Sequence, residues 1–524
     1  MITQSINLKA HHFAISSLIC LIGATMLGFS NWFFQFDNND FYLMICGVIL
    51  LGILWLASLM IIIIRNPVQA LLNPLCALGL WYFINFGIAA IVHYVAPVRT
   101  LSPEPLQTLL PTGVAAAVLG YVSLLAGYAL IPKSQTIFDS NVRHMKWLTD
   151  AMNDDKALLL LTLVCLVTGW IPRLIKLQRG TFHFGLRTGT PLNLNDPFIA
   201  SIGLVESLVS IAIVMVVYGA FVQRRRRELF LFIIILGLEF AWGIFSGSKA
   251  AFLWPALWAF CSWYAFIGTR HTKRTFTIIG GMFLLVLLIF PFFNAYRAVS
   301  FRADDPLEAW RQAYTSVFTA SDSLISSSAD SAIQRIDGIV PVSMVIRYTP
   351  TSWNYQYGYT FASALLSPIP RFLWPGKPLP INKIAFGADY YIKHPNSVNT
   401  ASTPTSLGEF YLNFGWFGII FGMMVYGIAV RLSWEWYRKE GYSPGALIVF
   451  LLMWMSLFRI DILFSSFLGG VPRQIIIILI FLRLMIAVIK PARSHINGGM
   501  SPKLSFQRNP LINTGKHKKH FYNR

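Results

Sequence analysis

Apolar stretches of about twenty residues recur along the chain, each long enough to cross the hydrocarbon core of a bilayer as a helix. They lie near 12–30, 41–64, 74–95, 111–132, 156–175, 199–222, 228–247, 250–268, 275–296, 408–430, 444–467 and 472–489. Backbone groups in lipid have no water to bond, so only helices and closed barrels span it. Barrel strands alternate apolar and polar residues, and that pattern is absent here. The expectation is an all-α polytopic membrane protein with about twelve transmembrane helices. Composition agrees, with 55% hydrophobic and 12% charged residues in 524, where a soluble domain carries about 25% charged. The first stretch, FAISSLICLIGATMLGFS, runs into NWFFQFDNND without a small-residue cleavage site and reads as a retained helix.

The formal net charge of +20 could suggest nucleic acid, but its distribution points to membrane anchoring. RRRR at 224–227, TRHTKR at 269–274 and the acid-free tail from Lys490 to Arg524 all lie between or after apolar segments. Short basic loops stay cytoplasmic and can touch anionic lipid. With Arg224–Arg227 inside, Arg65, the 133–155 loop, RKE at 438–440 and both termini also fall inside. This is the orientation expected of a multi-pass protein of a bacterial inner membrane. The chain then divides into helices 1–9 over 1–296 with a basic outer loop at 176–198, a large outer loop at 297–405, helices 10–12 over 406–489, and a basic cytoplasmic tail at 490–524. The five cysteines sit inside apolar segments, so neither a disulfide framework nor a Cys-based metal site is expected.

Ionisable residues inside spans are costly and mark paired or functional positions. Glu206, Glu239, Arg459 and Asp461 each fall six to eight residues from the outer end of their stretch, roughly 10 Å deep. Lys249, in the turn SGSK, Arg297 and Glu409 lie at the same boundary. Such residues either pair between packed helices or line a polar cavity open to the outside, and the shared depth favours the cavity. Arg459 and Asp461, two apart, should face different sides of one helix and need not pair.

Guanidinium groups offer planar, permanently charged donors suited to phosphate oxygens. Arg173, Arg187, Lys249, Arg297, Arg371, Lys377 and Arg459 are the candidate pyrophosphate ligands, with Arg179, Arg302 and Arg347 nearby. The large loop adds SWNYQYGY and SPIPRFLWPGKPLP, so Trp353, Tyr357 and Trp374 could stack on sugar rings or belong to an interfacial aromatic belt. Cations and aromatics together at an outer lipid boundary suggest a polyprenyl pyrophosphate carrying a glycan.

Four stretches resemble the O-antigen (Wzy-type) oligosaccharide repeat-unit polymerases. SPIPRFLWPGKP is similar to the Pro-Arg-x-x-Trp-Pro-x-Lys-Pro pattern of their large outer loop. TPTSLGEFYLNFGWFGIIFGMMVYG resembles the helix after it, with Gly408-Glu409 and Asn413-Phe414-Gly415. FSGSKAAFLWPAL resembles their Gly-Ser-Arg turn, with Lys249 in place of arginine. FRIDILFSSF resembles their penultimate helix, with Ile460 in place of glycine. The resemblance covers about residues 170–475.

It implies a GT-C-like membrane fold and an inverting, metal-independent glycosyltransferase that needs no cofactor. Such an enzyme moves a growing glycan from undecaprenyl pyrophosphate to the terminal sugar hydroxyl of another lipid-linked repeat. Its product would be O-antigen, capsule or exopolysaccharide. The expected partners are the undecaprenyl-pyrophosphate-linked oligosaccharide, membrane lipids and a chain-length regulator, with no nucleic acid. Fixed cations would stabilise charge on the leaving pyrophosphate. A carboxylate would take the acceptor proton, with Glu409 the first candidate, Asp461 the second and His183 the third. O-antigen ligase and a flippase or transporter of lipid-linked oligosaccharide are the competing readings.

Overall fold

The structure, a computed structural model, describes residues 40–65, 67–98, 100–131, 144–178, 197–246, 249–268, 306–319, 337–367, 383–394 and 402–489, with short pieces between 274 and 299 and the single positions 369, 374 and 381. Among these residues every regular element is helical. Seven helices are long and apolar enough to cross a membrane: Asp40–Ile64, Pro74–Val95, Leu106–Leu130, Asp155–Gln178, Val205–Val222, Thr405–Lys439 and Phe464–Ile489. The stretch expected at 12–30 lies outside the described residues, as does much of 275–296.

The first helix, α1 (Asp40–Arg65), leaves Ile49, Ile53, Leu56, Met60 and Ile64 exposed along its outer side. Apolar residues at that spacing need a lipid environment. Pro74 then opens α2 (Pro74–Val95), whose N-cap is Asn73, with its Oδ1 accepting from Leu75 N at 3.0 Å. A side-chain acceptor there satisfies one of the donors a helix start leaves open.

The core is built around α3 (Leu106–Leu130), rich in Gly and Ala and buried over most of its length. It runs alongside α13 (Thr405–Lys439), and the two backbones touch where small residues permit. A Cβ on Gly127 would stand 2.0 Å from the Met424 carbonyl oxygen, and one on Gly427 would stand 2.0 Å from that of Leu124. Close approach through small residues is how helices associate where lipid supplies no hydrophobic drive.

Beyond α3, α4 (Lys146–Asn153) leads into α5 (Asp155–Gln178), followed by α6 (Pro197–Val217, prolonged by a π turn to Val222), α7 (Arg226–Phe245) and α8 (Lys249–Phe266). These pack as a second cluster with α14 (Pro444–Leu457). Within the expected large loop lie α9 (Pro306–Thr319), α10 (Ile339–Tyr348), α11 (Tyr359–Leu365) and α12 (Lys383–Asp389). The 297–405 segment is thus not wholly peripheral. The apolar run IVPVSMV makes α10 a buried core helix against α3, with Gly113 facing Ser343.

Two breaks depart from the sequence expectation. The first interrupts α13, where Gly415 takes φ +60° and ψ −144°. Only glycine adopts this without strain. Asn413 pins the break, receiving Gly358 N on its Oδ1 at 2.9 Å and donating through Nδ2 to Thr360 Oγ1 and the Glu409 carbonyl, each at 2.8 Å.

The second break corrects the expected helix at 444–467. That helix, α14, ends at Leu457, and the last helix, α15 (Phe464–Ile489), begins eight residues earlier than expected. Residues 458–463 are not helical. Their freed carbonyls, and that of Leu457 at the end of α14, find side-chain and backbone donors: Thr403 Oγ1 to Asp461 O at 2.9 Å, Ser406 Oγ to Ile462 O at 2.6 Å, Ser406 N to Ile460 O at 3.0 Å, and Tyr426 Oη to Leu457 O at 2.6 Å. Open backbone among apolar helices is tolerated only when its polar groups are satisfied in this way.

Of the basic segments, the described ones at 224–227 and 438–440 lie beside the start of α5 and beside α4. Arg225 pairs with Asp155, and Glu440 accepts His144 N at 2.9 Å and Met145 N at 3.2 Å, tying α4 to the turn after α13. In the 337–394 region, Arg347 pairs with Glu104 and Leu101 N bonds Tyr391 O at 2.8 Å.

Candidate functional site

A cavity of about 420 Å³ opens between α5, α6, α7, α8, α14 and α15. Its charged lining is Arg173, Glu206, Glu239 and Arg459. Four charges read separately along the sequence therefore meet on one cavity wall. Ion pairing and a polar cavity, set as alternatives by the sequence, occur together.

Arg173, on the last turns of α5, is buried and makes a forked pair with Glu239 of α7: Nη1 meets Oε1 and Nη2 donates to Oε2 at 2.9 Å. Its guanidinium also lies against two indoles, 5.1 Å from the Trp170 ring centre and 5.4 Å from that of Trp242. Lys176, one turn further along α5, pairs with Glu206 of α6. Weakly hydrated guanidinium on aromatic faces and bidentate carboxylate contact both favour arginine over lysine at this depth.

Across the cavity, Arg459 rests 5.7 Å from the Trp254 ring of α8. Contrary to the expectation from their spacing, it pairs with Asp461, Nη2 to Oδ2 at 3.3 Å. The reason is the break at 458–463: non-helical backbone lets residues two apart turn to one side. Trp81 of α2 completes the arrangement, donating from Nε1 to Asp461 Oδ1 at 2.9 Å. Asp461 thus joins the cavity through Arg459, although it is not itself part of the wall.

Glu409 lies elsewhere. It is fully buried near the start of α13, and its Oε2 accepts Ser465 N at 3.0 Å in the first turn of α15. A carboxylate at a helix N-terminus satisfies an open donor and complements the dipole. This geometry joins α13 to α15 and leaves Glu409 outside the cavity lining.

Trp353 donates its Nε1 to Asp389 O at 2.9 Å while its ring is half exposed, and Tyr357 and Trp374 are also exposed. These three expected stacking residues stand in the 337–394 region and not in the cavity. Arg187, Arg297, Arg371, Lys377 and His183 lie outside the described residues. Lys249 opens α8, and its side chain is likewise outside them. A second polar cluster stands near the start of α10, where fully buried His93 Nε2 is 3.6 Å from Asp337 Oδ1. Burial pushes the Asp337 carboxyl up to about 7, with the Lys393 charge opposing, and burial lowers Lys393.

Sequence reasoning missed Trp81, Trp170, Trp242, Trp254 and Gln474. Tryptophans inside apolar helices carry the same signal as an interfacial belt. Only the fold shows that Trp242, Trp254 and Gln474 line the cavity.

Residues 198–489 match the model of a family described as a domain of unknown function, DUF8712. The chain belongs to this family. The matched DUF8712 region runs from α6 to α15 and holds Glu206, Glu239, Trp254, Arg459 and Asp461, while Arg173 and Trp81 come from the segment before it. No curated protein and no solved structure matches the chain.

Proposed function

We propose that this DUF8712 protein polymerises polyprenyl-pyrophosphate-linked oligosaccharide repeat units, as an inverting glycosyltransferase without a metal. The observation that carries the reading is the cavity between apolar helices in which Arg173 and Arg459, each laid on indole rings, face the same space. Guanidinium groups fixed against aromatic rings, Arg173 buried and Arg459 partly exposed, would stabilise a leaving pyrophosphate. The exposed aromatics of the 337–394 region supply flat faces for the glycan.

In this reading Asp461 is the base. It is about a third exposed, next to Arg459, and held by Trp81, whereas Glu409 is enclosed and committed to α15. The Asp461 carboxylate takes the acceptor hydroxyl proton as that oxygen bonds to the anomeric carbon of the donor. The anomeric carbon–oxygen bond to pyrophosphate breaks on the opposite face, the electron pair leaves with the pyrophosphate, and the configuration inverts. Arg173 and Arg459 hold the departing charge.

One observation favours a second reading. Two interrupted elements, one at 458–463 beside the charged cavity and one at Phe414–Gly415 of α13, are features of transporters. A flippase of the same lipid-linked oligosaccharide would use them to alternate access. The two readings separate in detergent. Purified protein given the lipid-linked repeat should form a ladder of longer glycans without any sealed membrane. A protein that carries the repeat only across sealed vesicles, and forms no ladder, is a transporter.

A further inference from the structure

Among the described residues, both cations on the cavity wall are already engaged. Arg173 spends both terminal nitrogens on Glu239, Arg459 meets Asp461, and Lys176 meets Glu206 beside them. Among the described residues the charges of this cluster therefore cancel: three cations from α5 and the 458–463 break, three carboxylates from α6, α7 and that break. An anion approaching Arg173 meets Glu239 at the same nitrogens. The Arg173–Glu239 pair is buried, and two anions sharing one buried guanidinium repel strongly. One further detail points inward: Arg173 Nε is buried and has no hydrogen-bond partner among the described residues.

We infer that anion binding in this cavity is coupled to protonation of Glu239, so that each phosphate-like dianion bound at Arg173 brings about one proton with it. The inference rests on the phosphate-binding reading of the cavity. A protonated Glu239 keeps one oxygen as acceptor and gains an O–H donor for the incoming oxyanion. Arg173 is then released from its forked pair, and its three nitrogens serve the ligand. Glu239 is the coupled group because its carboxylate holds Arg173 through two bonds and is almost wholly buried, whereas the Lys176–Glu206 pair is a quarter exposed and partly screened by water. The charged groups that bear on Glu239 are Arg173 and Lys176 from α5, Glu206 from α6, and Arg459 with Asp461 from the break. Binding that takes up a proton weakens as pH rises, by up to tenfold per pH unit for one proton.

The test uses sulfate, a dianion that does not itself titrate between pH 6 and 8.5, added to the full-length protein in detergent. Binding is followed by the fluorescence of the tryptophans, among them Trp242 and Trp254 of the cavity wall. The expected result for wild type is a dissociation constant that rises five- to tenfold per pH unit. Glu239→Gln should bind sulfate more tightly than wild type at pH 8 and lose most of the pH dependence. Glu206→Gln, at the more exposed pair, should keep the dependence, and it decides the matter with the wild-type series if Glu239→Gln does not fold. Sulfate binding in wild type with a constant affinity across this range overturns the proton coupling and leaves the anion site standing. Absence of binding by both sulfate and inorganic pyrophosphate at pH 6 overturns the anion site, and the coupling with it.

Discussion

Trp81 and Asp461 are 380 positions apart, yet the Trp81 indole Nε1 donates to Asp461 Oδ1 at 2.9 Å. The bond fixes one carboxylate oxygen while the other meets Arg459, so a residue of the second helix sets the geometry of the break between the last two. Trp81→Phe keeps an aromatic ring, though a smaller one, and removes the donor. We expect about a tenfold loss of polymer formation, roughly 1.4 kcal/mol in barrier, with unchanged melting within a few degrees. Asp461→Asn should lose about 10²–10⁴-fold as a missing base. Ladder formation by purified protein at matched abundance measures both, and a normal ladder from Asp461→Asn removes the base from this position.

Glu409 should behave differently. Its carboxylate accepts Ser465 N inside a closed core, so Glu409→Ala leaves a buried donor open at a cost of about 1–3 kcal/mol. The expected outcome is a lower melting temperature and poor membrane yield, with any surviving protein still making polymer. Full stability with complete loss of polymer would return Glu409 to the chemistry.

The Gly127–Gly427 contact predicts a sharp steric response. Gly127→Leu or Gly427→Leu would drive a side chain into a facing backbone carbonyl and should abolish the folded protein, as seen by gel filtration in detergent. Gly237→Ala, in α7 with nothing within 4 Å of the new Cβ, should be neutral or stabilising by about 1 kcal/mol, the helix propensity difference.

Asp337 gives a pH dependence outside the spanning helices. Its carboxyl is raised from 3.8 to about 7 by burial, so the folded form holds a proton that the unfolded chain would release. The stability tied to that proton is complete below about pH 4 and is lost as pH rises through 7. Asp337→Asn should remove this dependence and raise the melting temperature relative to wild type at pH 8. An identical pH profile in the two proteins would show that Asp337 is ionised in the fold.

Sidedness is tested by labelling. Tyr357→Cys, at an exposed position of the 337–394 region, should react with an impermeant reagent from outside intact cells, and Arg226→Cys should react only after lysis. The reverse pattern would turn the cavity and the aromatic region to the cytoplasm.

The helical class and most of the spans were legible in the sequence because lipid imposes a one-dimensional rule. Each spanning segment must be apolar over a fixed length and satisfy its own backbone. Glu206, Glu239 and Arg459 stood out for the same reason, since charge in such a segment is rare enough to be read residue by residue. What the tertiary structure decided is everything that depends on who faces whom. Hydropathy averages over a window, so it ran the helix at 444–467 through Arg459 and Asp461. The fold opens it there because Thr403, Ser406 and Tyr426, distant in sequence, accept the task of satisfying its carbonyls. The same distance hid Trp81 behind an ordinary apolar signal and made Glu409 look available when Ser465 encloses it. Local pattern reports the cost of a charge in lipid. Only packing reports the partner that offsets it, because the partner comes from another part of the chain.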